Sequence, residues 1–450
     1  MSFKKDFVWG AATAAYQIEG AAFEDGRGLS VWDTCCEREG FVKDWHSGAL
    51  ACDHYHRYKE DVQLMKKIGL QAYRMSISWP RILPEGVGKI NSKGLDFYDR
   101  LIDELLENNI EPYITLFHWD FPQELFYKGG WLNRDSSDWF AEYTRVVAEK
   151  LSDRVKFWFT ENEPQCYINL GYNTGFHAPG LKLGFRETLL AAHNSLLAHG
   201  KAVQVLRQCS KQPAEIGYAP VGIVSFPATN SEKDIQAART KMFSIEEPTL
   251  WNNTWWMDPV ILGNYPEDGL KVFEQWLPEI KTDDMKTICQ PIDFLGVNIY
   301  HGSKTIMNDK LQAEHTKNKV GHEQTLIRWS VTPESLYWGP KFLNERYGKS
   351  IIVTENGLSN VDWVSLDGKV HDPQRIDFLN RYLREYQRAA EDGVDLKGYF
   401  SWSLMDNFEW TEGYNERFGL IHVDYETQKR TIKDSGYWYK TIIDSNGQKL

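Results

Sequence analysis

The sequence predicts an α/β fold, a single (β/α)8 TIM barrel with long βα loops forming a deep active-site cleft. Three observations carry that expectation. Short β-rich runs alternate with amphipathic stretches along the chain, the rhythm of parallel β/α units. The β-rich runs number eight, the count that closes a barrel. No Pro/Ser linker, low-complexity tract or short repeat divides residues 1–450, so the whole chain is expected to be one barrel domain.

The first run lies near 7–16 and the second near 72–78. Between them Val62, Met65 and Ile68 form an apolar helical stripe that stops at Gly69, a C-terminal cap. In 95–107, Leu95, Tyr98, Leu101, Ile102, Leu105 and Leu106 recur at three and four, with Asn108 and Asn109 able to close the helix in left-handed geometry. The third run is 111–117. A second stripe, Trp139, Phe140, Tyr143, Val146, Val147 and Leu151, follows the capping candidates Asp135 to Ser137. Further runs lie near 155–160, 215–224 and 294–300. Thr332-Pro333-Glu334 predicts a helix start with Pro at its first position, and the last runs are 351–354 and 397–402. Three connections, about 17–54, 225–290 and 301–331, are longer than a helix requires and are expected to wall the cleft.

Composition narrows the function. Hydrophobic residues make 42% and charged residues 25%, which excludes disorder, and no apolar run has the length of a membrane span. The net charge of −12 argues against nucleic-acid binding. Eighteen Trp, 22 Tyr and 22 Phe suit a packed core and equally a cleft that stacks on sugar faces. The six cysteines show no Cys-x-x-Cys spacing, a usage that fits a reduced, cytoplasmic setting. Lys4 and Lys5 before an apolar run imitate a signal peptide, but the run lacks a leucine-rich centre and leads into Gln17 and Glu19. No cleaved signal is expected. The sequence leaves a homo-oligomer open.

Some tempting signals carry little. His54-Tyr55-His56 has metal-like spacing but heads a helix, and no later His and Asp at strand ends complete a ligand set, so no metal is expected. Gly26-Arg27-Gly28 lacks a dinucleotide fingerprint, and no cofactor is expected. His177 and His193 are read as hydrogen-bonded scaffold.

Strand ends are where a barrel does its chemistry. The fourth run ends Thr160-Glu161-Asn162-Glu163-Pro164 and the seventh ends Val353-Thr354-Glu355-Asn356-Gly357. Two acids therefore arrive from strands three positions apart in an eight-membered ring. Paired carboxylates suit glycoside cleavage: one protonates the leaving oxygen, the other meets the oxocarbenium-like centre. A spacing of about 5–5.5 Å gives retention and about 6.5–9.5 Å inversion.

With these motifs in place, the sequence resembles glycoside hydrolase family 1, the retaining β-glucosidases, nearly end to end. The resemblance rests on Phe7-Val8-Trp9-Gly10-Ala11-Ala12-Thr13 through Gln17-Ile18-Glu19-Gly20, on Tyr73-Arg74-Met75-Ser76-Ile77-Ser78-Trp79-Pro80-Arg81, and on Phe117-His118-Trp119-Asp120. It continues through Asn162-Glu163-Pro164, Asn298-Ile299-Tyr300, Thr354-Glu355-Asn356-Gly357 and Ser401-Trp402-Ser403-Leu404-Met405-Asp406-Asn407-Phe408-Glu409-Trp410. It implies Glu163 as acid/base and Glu355 as nucleophile, supported by Arg74 and Tyr300. It implies Asn162 at the sugar 2-hydroxyl and Gln17, His118, Trp402, Glu409 and Trp410 as the clamp on the other hydroxyls. Trp119, Asn298, Tyr300 and Phe418 join the substrate-binding set, and Trp329 resembles the aglycone platform. The expected substrates are small β-glucosides, with β-galactosides and β-fucosides as secondary ones. A non-catalytic sugar-binding protein would need neither Glu163 nor Glu355. A 6-phospho-β-glucosidase would lack Glu409, whose charge repels phosphate.

Two residues depart from the family pattern. Glu161 stands where an apolar residue is usual, and period-two alternation places it on the same side as Glu163, a rival acid on spacing alone. Gln165 replaces a commonly aromatic residue.

Overall fold

The computed structural model describes residues 3–450. Eight parallel strands close a barrel in chain order: β1 Val8–Ala12, β2 Ala72–Ser76, β3 Glu111–Phe117, β4 Phe157–Asn162, β5 Glu215–Ala219, β6 Phe294–Asn298, β7 Ser350–Asn356 and β8 Leu396–Trp402. Each corresponds to one of the eight expected runs. The fifth run is shorter than expected. β5 stops at Ala219, before Pro220, which has no N–H to continue a ladder. The rest of that run reappears as Val224–Pro227, paired with Gly302–Met307 in a separate three-stranded sheet.

The principal helices are α1 His54–Lys67, α2 Ser92–Glu107, α3 Ser136–Leu151, α4 Phe185–Cys209, α5 Ser335–Tyr347, α6 Pro373–Glu391 and α7 Asp434–Asp444. α2 buries Phe97, Tyr98, Leu101, Ile102 and Leu105, the face its apolar spacing defines. Asn109 at φ +60° and Gly69 at φ +76° end their helices in left-handed geometry, as the sequence indicated. Two starts differ. Asp135 precedes α3 but makes no side-chain capping bond. α5 begins at Ser335, because Thr332 and Pro333 form a turn whose Thr332 carbonyl accepts from the Ser335 N–H at 3.0 Å.

The barrel lumen is filled by interdigitating rings: Tyr113 lies 5.0 Å from Phe400 and Phe159 5.3 Å from Phe294. A Cβ on Gly10 would stand 2.4 Å from the Phe400 ring, so the glycine makes room for that aromatic.

One irregularity decides how the site is aimed. Along β4 the partners on β5 jump from Phe159↔Gly217 to Asn162↔Ala219, a bulge that accommodates an extra residue. Thr160 Oγ1 bonds His199 Nδ1 on α4 at 2.7 Å, and the Ser195 hydroxyl of α4 donates to Glu161 Oε2 at 3.1 Å. Two successive side chains therefore face α4, and Asn162 turns inward. Glu163 then adopts φ +47°. The expectation that Glu161 and Glu163 share a side fails for this reason: alternation assumes a regular pleat, and the bulge breaks it.

Behind the loop after β8 lies a buried ionic network. Lys433 meets Asp362 and Asp406, each at 2.6 Å, Arg375 meets Asp362 at 2.7 Å and Asp372 at 2.5 Å, and Arg417 meets Asp406 at 2.7 Å. The network fastens that loop to the one after β7 and to the start of α6. No helix of the described residues is long and apolar enough to cross a membrane.

Candidate active site

A cavity of about 780 Å³ opens where the strands end. Glu163, from the end of β4, and Glu355, near the end of β7, both line it. His118, Trp119, Asn298, Tyr300, Trp329, Trp402, Glu409 and Trp410 line it too. The long connections contribute unequally. Residues 225–290 supply Ser244, Glu246 and Trp251 to the wall, and 301–331 supply Ser303, His315 and Ile327. The 17–54 connection, Gln17 included, supplies no residue to the lining, contrary to expectation; its Trp32 packs behind Trp410 with ring centres 4.6 Å apart.

Glu355 is held from two directions. Arg74, on β2, donates from Nη1 to Glu355 Oε1 at 2.6 Å, and the Tyr300 hydroxyl donates to Oε2 at 2.8 Å. The other Arg74 amino group donates to Asn162 Oδ1 at 2.5 Å. Asn298 donates from its amide nitrogen to Asn162 Oδ1 at 3.0 Å and to Glu163 Oε1 at 2.9 Å. Thr354, the residue before Glu355, donates its hydroxyl to Asn298 Oδ1 at 2.6 Å. That bond fixes which end of the Asn298 amide is the donor. Asn162 is fixed likewise: its oxygen accepts twice, so its nitrogen faces His118 Nε2, 3.1 Å away.

The two carboxyls differ in environment. Burial raises both, and the Glu355 charge raises Glu163 further. Glu355 has the direct Arg74 and Tyr300 contacts that oppose the rise. Glu163 is lifted further, first by burial and then by the Glu355 charge, to about 8. Glu355 is therefore the first of the pair to ionise, and Glu163 keeps its proton near neutrality. His118 is driven well below its ordinary value by burial, then by Arg74, and is neutral.

Gln17 lies behind the lining, not in it. It is fully buried, and its amide nitrogen reaches Asn407 Oδ1 at 3.0 Å, the Phe408 carbonyl at 2.8 Å and Oε2 of the lining residue Glu409 at 3.4 Å. Its carbonyl oxygen has no partner, nor has His118 Nδ1. Trp119, at φ +79°, donates from its indole to the Asn162 carbonyl at 2.9 Å, and its ring lies 4.5 Å from that of Trp410. Trp402 stacks near-parallel on His118 at 5.8 Å. Phe418 sits behind the lining, 6.2 Å from Tyr300 and 6.0 Å from Trp329. Gly357 explains the glycine of its motif: a Cβ there would stand 1.7 Å from the Trp402 carbonyl oxygen.

Four placements were not foreseen. His193 is scaffold as expected, bonded to Tyr265 and Asp284, each at 2.8 Å. His177 instead lines the cavity, 5.2 Å from the Trp119 ring and with Nδ1 unpartnered. Gln165 stays out of the lining; its amide brackets Val221, accepting from the N–H at 3.1 Å and donating to the carbonyl at 3.2 Å. Cys166 lines the cavity beside Glu163, and Thr354 orients Asn298. Adjacency to the two acids is the signal that marks these last two. The expected bland role for His54 and His56 also stands, since His54 pairs with Asp61 at 2.8 Å and His56 with Asp53 at 2.6 Å.

The comparisons agree with this geometry. The family model described as glycosyl hydrolase family 1 matches residues 1–448. The chain is 48% identical to beta-glucosidase A of Acetivibrio thermocellus, covering 99% of each chain. It is 48% identical to a 1,4-beta-D-glucan glucohydrolase of Thermotoga neapolitana, again over 99% of each. Among solved structures it is similar to the beta-glucosidase from Thermotoga maritima in complex with glucoimidazole, with TM-score 0.91, 45% identity and 99% coverage of both chains. A full-length family match, curated relatives at this identity and an eight-stranded barrel with acids at strands four and seven lead to one conclusion: the chain belongs to glycosyl hydrolase family 1.

Proposed function

We propose that this enzyme is a retaining β-glucosidase that removes terminal non-reducing β-D-glucosyl residues from cellobiose, short cello-oligosaccharides and aryl β-glucosides. β-Galactosides and β-fucosides would be slower substrates. The observation that carries the reading is the sharing of one cavity by Glu163 and Glu355, with the Arg74 guanidinium and the Tyr300 hydroxyl bonded to Glu355.

Glu355, held as the anion by Arg74, attacks the anomeric carbon while Glu163 gives its proton to the departing oxygen. The covalent bond to the sugar removes the negative charge of Glu355. Glu163 then loses the repulsion that helped keep it protonated, ionises, and takes a proton from the incoming water. Asn162 is aimed at the 2-hydroxyl. The unpartnered Gln17 carbonyl and His118 Nδ1 are free to meet sugar hydroxyls, beside Glu409, with Trp402 and Trp410 under the ring. Trp329 faces the aglycone end. The carboxylate of Glu409 disfavours a phosphorylated sugar. The acidic surface supports small glycosides rather than nucleic acid as partners, and the six unbridged cysteines support a cytoplasmic enzyme working on cellulose-derived sugars.

Release of chromophore from an aryl β-glucoside tests the reading, with the anomeric configuration of the first-formed product followed by NMR. Turnover with the β-anomer released first is expected. No turnover by correctly folded protein, or first release of the α-anomer, defeats it.

A further inference from the structure

Glu161 is a fully buried acid that the mechanism above leaves idle. Burying a carboxyl costs free energy that the apolar residue usual here would not. What it supplies is an acceptor. Tyr167 and Ser195 share a hydrogen bond with oxygens 2.6 Å apart, and the Ser195 hydroxyl donates to Glu161 Oε2 at 3.1 Å. Ser195 lies on α4, whereas Glu161 is two residues before Glu163 and Tyr167 four residues after it. The chain Tyr167–Ser195–Glu161 thus fastens both flanks of the acid/base to one helix. Thr160, bonded to His199 on the next turn of α4, adds a second tie on the same side.

We propose that Glu161 is a positioning residue for Glu163: by accepting the Ser195 hydroxyl it holds the β4 bulge open and aims the acid/base into the cavity. The proposal rests on Glu163 being the acid/base. Glu163 itself sits at φ +47°, directly after the bulge, so a relaxed pleat would turn it out of reach of the leaving oxygen. Tyr167 also hydrogen-bonds the carboxyl directly, but it belongs to the segment that follows Glu163 and not to α4. Tyr218 OH and His199 Nε2 have no partner, and Glu161 Oε1 has none either, so Ser195 is the hydroxyl through which the carboxyl is anchored to α4.

The test uses the full-length chain, with cellobiose as a substrate that needs protonation and 2,4-dinitrophenyl β-glucoside as one that does not. kcat/KM is compared because it reports the first bond-breaking step alone. Glu161→Leu is expected to lower kcat/KM on cellobiose about 10- to 100-fold, a misplaced general acid, and on the dinitrophenyl substrate less than about threefold. Glu161→Gln keeps an acceptor oxygen and should stay within about threefold of wild type on both. Ser195→Ala should reproduce the split of Glu161→Leu, and it carries the decision should the leucine variant not fold. Equal losses on both substrates, or an unchanged cellobiose rate in folded Ser195→Ala, overturn the proposal. A wild-type chain inert toward the dinitrophenyl substrate would instead defeat the glucosidase reading.

Discussion

Arg74 reaches Glu355 at 2.6 Å with one amino nitrogen and Asn162 at 2.5 Å with the other, so a single guanidinium joins the two side chains that the proposed mechanism uses as nucleophile and as partner of the 2-hydroxyl. A lysine would carry the same charge but only one compact head, which cannot occupy both places. Arg74→Lys is expected to lower kcat/KM on every β-glucoside about 100-fold, the scale of losing one preorganised electrostatic contact. Steady-state kinetics on aryl β-glucosides check this, and a loss confined to KM would contradict it.

The pH profile follows from the two carboxyls. In the proposed mechanism Glu355 acts ionised, so kcat/KM should fall as acidity brings its proton back, at a pH above the ordinary carboxylate value. In the same mechanism Glu163 acts protonated, so kcat/KM should fall on the alkaline side as that proton leaves near pH 8. The alkaline limb reflects both groups, since the Glu355 charge helps to raise Glu163. Glu163→Gln should erase the alkaline limb on a substrate with an activated leaving group, whereas Glu355→Gln should be inactive on all. A retained alkaline limb in Glu163→Gln would assign that ionisation elsewhere.

Lys433 is the shared cation of Asp362 and Asp406 in a setting with no exposure. Lys433→Met removes it and leaves two buried carboxylates short of a partner. Such a loss costs about 3–5 kcal/mol. Urea denaturation should report it as a lower midpoint with an unchanged slope.

Gly357 leaves no room for a methyl group, with 1.7 Å between an added Cβ and the Trp402 oxygen. Gly357→Ala must displace either the turn after Glu355 or the end of β8. A loss of more than about 3 kcal/mol of stability is expected, with activity falling further than folding does. Circular dichroism and kinetics on the surviving folded fraction separate the two.

Much of the barrel was legible because its signals are local. Apolar spacing marks α2, and Asn109 and Gly69 mark helix ends. The acids at the ends of β4 and β7 were legible once the strands were counted. What escaped depends on contacts distant in sequence. The bulge that separates Glu161 from Glu163 exists because β4 pairs with β5 and packs on α4, and no count along 155–163 contains it. His177 reaches the cavity from a loop with no periodicity. Pro220 was the local clue that the run 215–224 could not be one strand, and the β-rich composition on either side masked it.

Gln17 and Glu409 stand 392 positions apart in the chain, yet the fold brings their side chains within 3.4 Å of each other. A nascent chain can already display both acids, at 163 and 355, while lacking Trp402, Glu409 and Trp410 from the cavity lining. If the proposed mechanism holds, a chain stopped before Glu409 would be inert toward glycosides rather than indiscriminate.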